Sequence, residues 1–331
     1  MKNEKRVLVA GATGFVGRNI VEHLYKRRFE TYPLVRRDTL SKKRSVIEAY
    51  ERLGVKILVI DSFDRERLRD LFRQIRPNVV INTIGIFKGS REEFLKSHVY
   101  IAEEILGAVE ILGENILYIH ISSIGASNMD LDKPVREEEK HCSHLEYLKT
   151  YYEMSKCLGE IRVREICDEK SISYVILRPS LIIGEYNTHR EWIDLMRLSR
   201  VGVELDIDTK LNILDVRDLV RIIELIIERR DLYNEFYHIA SPREITLRDI
   251  SRVALEIVGR RSLIKITSST IKLLYSISKV FLSDIDRRFI EMILSGDARI
   301  SSEKFIRKTS YTFTDPLDSV KRYLGWLRES V

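Results

Sequence analysis

Residues 6–17 read RVLVAGATGFVG, and this stretch decides the fold. Arg6–Ala10 is a short, nearly continuous apolar run, as a strand buried on both faces requires. Gly11, Gly14 and Gly17 break it. From there the apolar spacing changes, so that Phe15, Val16, Ile20, Val21 and Leu24 share one face of a helix expected over 15–28. Strand, glycine turn and helix in that order make a site for a diphosphate. The first glycine permits the tight turn, the second lets backbone approach the pyrophosphate, and the third lets the helix lie close to the sheet. Ala12, Thr13, Phe15 and Val16 complete the turn. The free amides and partial positive charge at the helix start face the phosphates. Glycine spacing alone also fits an ordinary strand–helix turn; the flanking elements give it weight.

Working outward, further strands are expected at 31–36, 55–60, 78–84, 116–122 and 173–178, with helices at 64–75, 92–113 and 145–168. Apolar strands alternating with helices predict an α/β protein, a doubly wound parallel sheet of the Rossmann type with helices on both faces. Ligands of such sheets bind beyond the carboxyl ends of the strands. From about 180 the alternation weakens. The expected organisation is a dinucleotide-binding domain over 1–180, with 211–240 returning to it. A smaller, mixed substrate-side domain is expected from 181–210 and 241–331.

The chain has 331 residues, 44% hydrophobic, with charges of both signs interspersed and a formal net charge of +6. It can bury a core, and it has no block of like charge typical of a disordered tail. Its basic balance fits an anionic ligand, and without a basic stripe interleaved with aromatics no nucleic-acid partner is expected. Cys142, Cys157 and Cys167 form no paired motif, so no disulfide framework is expected and a cytoplasmic setting fits. There is no signal-peptide pattern and no apolar run long enough for a transmembrane segment.

Chemistry-bearing residues follow the strands. PLVRRD at 33–38 ends the second strand with Arg36 and Arg37 where an acidic residue would select a free ribose hydroxyl. Guanidinium groups there pair with a 2′-phosphate, which favours NADP(H), while Asp38 keeps NAD(H) open. Asp61 and Ser62, after the third strand, fall toward the adenine end, and a helix cap explains Asp61 equally well. Ser122 and Ser123 end the fifth strand. Tyr152 and Lys156, four apart, share a helix face. An adjacent ammonium favours the phenolate of a tyrosine, and such a pair can exchange a proton with a substrate hydroxyl oriented by a serine. A second pair at this spacing, Tyr275 and Lys279, lies beyond the sheet and is read as packing plus solvated charge.

These pieces, in this order, resemble an extended or atypical short-chain dehydrogenase/reductase of the NAD-dependent epimerase/dehydratase group. The likeness covers essentially the whole chain. GATGFVG resembles the phosphate turn, and NTIG at 82–85 the fourth-strand motif, which implies that Thr83, Ile84 and Gly85 support the nicotinamide half. IHISSIGA at 119–126 resembles the serine-bearing strand end, and YEMSKCLGE at 152–160 the active-site helix. LRPSLIIG at 177–184 resembles the strand end that closes over nicotinamide, implying roles for Arg178, Pro179 and Ser180. NILDVRDLVRII at 212–223 and FYHIASPREITLRDI at 236–250 resemble the later returning segments.

The resemblance implies Tyr152 as general acid/base, Lys156 as its partner and as a holder of the nicotinamide ribose, and Ser122 or Ser123 on the substrate oxygen. The substrate class is a small molecule with a secondary alcohol or ketone, with oxidoreductase, epimerase and dehydratase chemistry all open. RPSLIIGE at 178–185 departs from the group's usual run, and the asparagine common in the fourth helix is replaced around His98. Both departures weaken a nucleotide-sugar substrate, and ISSIGA together with RPSLIIG resembles most a branch holding the NADPH-binding accessory subunit of complex I. A non-catalytic accessory or assembly subunit in peripheral association with a larger complex, and a redox-sensing regulator, are the alternatives. The helices at 92–113 and 145–168 often build a dimer in related proteins, while atypical members can be monomers.

HCSH at 141–144 matches no metal spacing, so no metal is expected. SKKR at 41–44 reads as a solvated loop near Arg36 and Arg37. STIKLLYSISKVFL at 269–282 is an amphipathic helix, with Ile271, Leu274, Ile277 and Phe281 along one side, expected to pack on the smaller domain, with a membrane surface or a partner as the alternatives.

Overall fold

The computed structural model describes residues 5–113, 116–127, 135, 142, 150–278, 287, 290, 291, 294 and 297–330. The chain divides into two compact units: residues 1–127, 141–178 and 220–237, and residues 128–140, 179–219 and 238–331.

The first unit begins with β1 (Arg6–Ala10), α1 (Phe15–Lys26), β2 (Glu30–Arg36), α2 (Arg37–Lys42), α3 (Arg44–Leu53), β3 (Leu58–Ile60), α4 (Arg65–Ile75) and β4 (Val79–Asn82). It continues through α5 (Arg91–Leu95), α6 (Ile101–Val109), β5 (Leu117–Ile121), α7 (Tyr151–Glu169) and β6 (Ser173–Pro179). The second contains β7 (Leu181–Ile183), α8 (Arg190–Arg200), β8 (Val203–Asp206), β9 (Lys210–Leu211) and β10 (Ile213–Asp215). The helix α9 (Val216–Glu228) and strand β11 (Glu235–Ile239) follow.

The main sheet has seven strands in the order β11-β6-β5-β4-β1-β2-β3, a doubly wound Rossmann-type arrangement. Parallel pairing sets Val7 beside Val79 and Thr31, and Ala10 beside Asn82 and Leu34. The chain runs outward from β1 on one side and returns to β4 on the other. The switch point therefore opens at the carboxyl ends of β1 and β4, where Gly11 and Thr83 begin their loops. Burial explains the apolar strands: Val7, Leu8, Val9, Val80, Ile81 and Ile119 are wholly buried. Each such side chain contributes roughly 1.5–3 kcal/mol relative to exposure.

Several local expectations differ from the structure. Residues 41–44 do not form a loop: α2 and α3 occupy 37–53, and a second amphipathic helix buries Val46, Ile47 and Tyr50. The helix expected over 92–113 is interrupted by a π turn, Lys96–Tyr100, between α5 and α6. Residues 211–215 do not reach the main sheet, because β10 pairs with β7; the returning strand is β11. The cysteines are not all free thiols. Cys142 and Cys157 form a disulfide with Cα atoms 5.4 Å apart, and Cys167 is a buried thiol. The pair lies 15 positions apart in sequence, a separation that carries no motif to announce it.

In the second unit, α8, α10 (Leu247–Val258) and the helix Pro316–Ser330 enclose a core of Trp192, Leu195, Met196, Val253, Tyr323 and Leu324. The amphipathic stretch forms α11 (Ser268–Ser278), on which Leu273 and Leu274 are 64% and 58% exposed rather than packed away. Lys279 and Phe281 lie outside the described residues, as do His141, Ser143 and His144 of the HCSH stretch. Among the described residues, no helix is long and apolar enough to cross a membrane.

Candidate active site

The phosphate turn is built by close approach. Gly11 adopts a φ of +80°, and a Cβ there would stand 2.5 Å from Thr83 Oγ1. A Cβ on Gly17 would stand 2.2 Å from the Gly11 carbonyl oxygen, so only glycine lets α1 start this near the turn. Gly14 is the N-cap and has no side chain to cap the first turn of α1. Ala12 is buried, and its carbonyl accepts a 2.6 Å hydrogen bond from the buried Tyr50 hydroxyl. Thr13, Phe15 and Val16 are partly exposed along the opening of the turn. Thr83 Oγ1 and its amide both donate to the Ala10 carbonyl, tying β4 to β1 at the switch point. The backbone exposed at Gly14, where α1 starts without a side-chain cap, fits a pyrophosphate.

At the ends of β2 and β3, Arg36 pairs with Asp38 at 3.4 Å. Arg37 donates to Asp61 at 2.6 Å, and Arg67 holds the other carboxylate oxygen at 2.9 Å. Hydrogen bonding and charge from Arg37, then Arg67, hold the Asp61 carboxyl below its ordinary range. Asp61 is not the cap of α4; Asp64 is, accepting from the Arg67 amide. Ser62 is exposed beside it.

Around Tyr152 the structure gathers α7, the β4 loop and the π turn. Thr150 and Glu153 form a reciprocal capping box that starts α7. This places Tyr152 and Lys156 one turn apart at the beginning of a helix. Burial pushes the Tyr152 phenol up to about 12, opposed by a hydrogen bond with Ser123. Burial likewise brings Lys156 down to about 8, opposed by Glu160. Lys156 Nζ lies 3.4 Å from the Ile121 carbonyl, and a Cβ added to Gly85 would come within 3.1 Å of that nitrogen. Ile84 donates its amide to Asn82 Oδ1, whose amide group in turn donates to Tyr118 Oη, shaping the loop from within.

The two serines separate. Ser123 engages Tyr152, whereas the buried Ser122 hydroxyl donates to Glu160 Oε1. Glu160 also receives Arg178 Nε at 2.9 and 3.0 Å, and both partners are 3% exposed. Arg178 lies over the Phe236 ring at 4.4 Å. Its guanidinium is committed to Glu160 rather than presented to a ligand. In the second unit, Pro179 is buried, and Ser180 donates its amide to Ile239; among the described residues the buried Ser180 hydroxyl has no partner.

The sequence marked His98 only as a departure from the group's pattern and assigned it no role. The Ile86 amide donates to its Nε2 at 3.1 Å, so that nitrogen carries no proton. Nδ1 is then the donor, at 2.8 Å, to Ser155 Oγ, whose hydroxyl donates to the Tyr152 carbonyl. Burial, then the Lys156 charge, hold the imidazole neutral, with a pKa of about 2. His98 thereby ties the loop after β4 to the helix bearing Tyr152. A Cβ on Gly159 would stand 2.4 Å from the His98 carbonyl oxygen, so glycine permits α7 to meet the π turn. Phe87 stacks on Tyr152 at 5.3 Å, and Phe94 meets it edge-on at 6.1 Å. The signal for Glu160 was present: it sits four residues beyond Lys156, on the same helix face.

A glycine turn at a sheet switch point, with a Tyr–Lys helix beyond it, defines a dinucleotide-binding protein of the doubly wound α/β class. The chain belongs to the NAD dependent epimerase/dehydratase family, whose model matches residues 7–240. The family's cofactor is a nicotinamide dinucleotide. Among curated proteins, it is 38% identical over 90 residues to phenylcoumaran benzylic ether reductase TP7 of Nicotiana tabacum, covering 27% of this chain and 29% of that protein. Over 90 residues it is 34% identical to eugenol synthase 2 of Clarkia breweri, covering 27% and 28%. The chain thus spans less than a third of the length of these relatives. Among solved structures, the enzyme WbmG of Bordetella bronchiseptica in complex with NAD superimposes with a TM-score of 0.75 at 16% identity, over 99% of this chain and 95% of that one. The UDP-glucose 4-epimerase of Thermotoga maritima with UDP-glucose gives 0.72 at 18% identity, over 98% and 99%. At these identities the likeness is one of fold.

Proposed function

We propose that the protein is an NADP(H)-preferring oxidoreductase that interconverts a secondary alcohol and a ketone, with Tyr152 as the proton-transferring group. The observation that carries this reading is the convergence of Tyr152, Ser123 and Lys156 beside Gly85, at the ends of the strands next to the phosphate turn. The amides after Gly11 would hold the diphosphate, and Lys156 would hold the nicotinamide ribose. Arg36, Arg37 and Arg67 would receive a 2′-phosphate. The bound cofactor supplies or accepts hydride.

Tyr152 starts as a phenol, since burial keeps its pKa near 12. It is therefore ready to donate a proton to a developing alkoxide, which favours ketone reduction. The Lys156 ammonium stabilises the phenolate that results. Ser123 orients the same oxygen. Ser122 and Arg178 serve the helix from behind, through Glu160. The test is ketone reduction by NADPH with Tyr152→Phe: turnover falls by roughly 10²–10⁴, as loss of general acid catalysis requires, while NADPH binding by calorimetry persists. Unchanged turnover removes the role.

A second reading, a cofactor-holding accessory subunit without turnover, draws on one observation. Burial holds the Tyr152 phenol at about 12, far from neutral pH. Stable co-purification with a larger complex from native extract, with no turnover on any ketone, would favour that reading.

A further inference from the structure

We infer that residues 260–273, with the turn at Val201, form a surface that docks on a bilayer carrying anionic lipid. All of it lies in the second unit, and it is independent of the proposed function. The sequence sets the charge: residues 257–278 hold Arg260, Arg261, Lys265 and Lys272 and no acidic residue. The structure sets the exposure. Among the described residues, the large apolar side chains most open to solvent are Leu263 at 77%, Val201 and Leu273 at 64%, and Ile264 at 59%. They are neighbours in the fold. Leu263 and Ile264 donate their amides to the Gly202 carbonyl at 2.8 and 3.2 Å, and the strand Ile264–Thr267 pairs in parallel with β8, Ile264 beside Val203. The helix α11, carrying Lys272 and Leu273, follows that strand without a break. Exposed apolar side chains gathered in this way mark an interaction surface.

Charge decides what covers it. Lys265 is engaged by Asp206 at 3.4 Å, and Arg248 and Arg252 match Asp206, Asp208 and Glu204. The nearby acids are thus already neutralised. Among the described residues, the exposed Arg200, Arg260, Arg261 and Lys272 have no carboxylate partner. Aliphatic side chains interspersed with unpaired cations suit a lipid surface. The former enter the acyl boundary while the latter meet phosphate head groups. A protein interface would draw instead on aromatic residues and leave lysine out of its centre. The aromatic residue of this stretch, Tyr275, is turned to Glu291, its hydroxyl 3.2 Å from that carboxylate.

The test is sedimentation of the whole chain with vesicles of equal parts phosphatidylglycerol and phosphatidylcholine, and with phosphatidylcholine alone. The protein is expected on the anionic vesicles only, and to leave them at about 1 M salt, where charge is screened beyond about 3 Å. Arg260→Gln with Arg261→Gln should weaken binding about 25-fold, at about fivefold per cation at such a surface. Leu263→Ser with Leu273→Ser should weaken it about tenfold. Arg44→Gln with Arg73→Gln removes the same net charge from cations paired on the first unit, and should leave binding within about twofold. No binding to anionic vesicles, equal binding to phosphatidylcholine alone, or unchanged affinity in the Arg260 and Arg261 variant overturns the inference. So does an equal loss in the Arg44 and Arg73 variant, since net charge and not this surface would then be the cause. A dimer that Leu263→Ser dissociates, with no vesicle binding, would assign the surface to a second copy of the chain instead.

Discussion

Replacing Lys156 by Met should make the protein more stable and less active. Lys156 is 5% exposed, and burial holds its ammonium at a pKa of about 8 instead of 10.5. At about 1.4 kcal/mol per tenfold, this corresponds to roughly 3 kcal/mol against the folded state at neutral pH. Methionine fills similar space without a charge. The pH dependence follows from proton binding. Below about pH 8 the folded and unfolded chains both carry the proton, so the parent bears the whole cost. Between about 8 and 10.5 only the unfolded chain still holds it, and parent stability rises with pH. Lys156→Met lacks this rise. Urea denaturation of the cofactor-free proteins should give a gap of roughly 3 kcal/mol in favour of Met at pH 7, closing toward pH 10.5. A parent more stable than the variant at pH 7, or a gap that does not change with pH, refutes the reasoning. Ketone reduction by the variant should fall at the same time, the trade of stability for function expected where a charge is buried for use.

Glu160→Gln leaves Arg178 buried without a counter-charge and should cost about 3–5 kcal/mol in denaturation; a loss under about 1 kcal/mol would show that the pair is dispensable. Gly17→Ala sets a Cβ against the Gly11 carbonyl, so calorimetry should find cofactor binding lost, and wild-type affinity would contradict the close approach. In the parent, the rate of ketone reduction should decline as pH rises through about 8, where Lys156 loses its proton, with no inflection from His98, whose pKa is about 2. An inflection near pH 6–7 that disappears in His98→Gln would show instead that the imidazole titrates.

The strands, the phosphate turn and the Tyr152 helix were legible because each is set by neighbours in sequence. Apolar runs make buried strands, Gly11, Gly14 and Gly17 make the turn, and a four-residue spacing puts Tyr152 above Lys156. What escaped depends on partners far along the chain. The π turn at Lys96–Tyr100 changes the hydrogen-bond pattern without changing the apolar period, so residues 92–113 read as one helix. Tyr50 reaches Ala12 across 38 positions, and His98 reaches Ser155 across 57. A polar side chain cannot announce its partner at such distance.

Arg178 shows how this limit bears on function. In sequence, an arginine at the carboxyl end of a strand beside a dinucleotide site reads as a ligand contact. Buried to 3% exposure, however, it would stand as an unpaired charge whenever the ligand left. An ion pair with Glu160, completed by Ser122, removes that penalty at all times and leaves Arg178 unable to turn outward. Glu160 is also the carboxylate that opposes the fall in the Lys156 pKa. The pair therefore acts through the helix: it keeps a negative charge one turn beyond Lys156, which favours the ammonium that the Tyr152 phenolate requires. Burial alone would carry the Lys156 pKa further down. A charged network behind α7 thus sustains the charge in front of it, and in the proposed reaction Arg178 acts without touching cofactor or substrate.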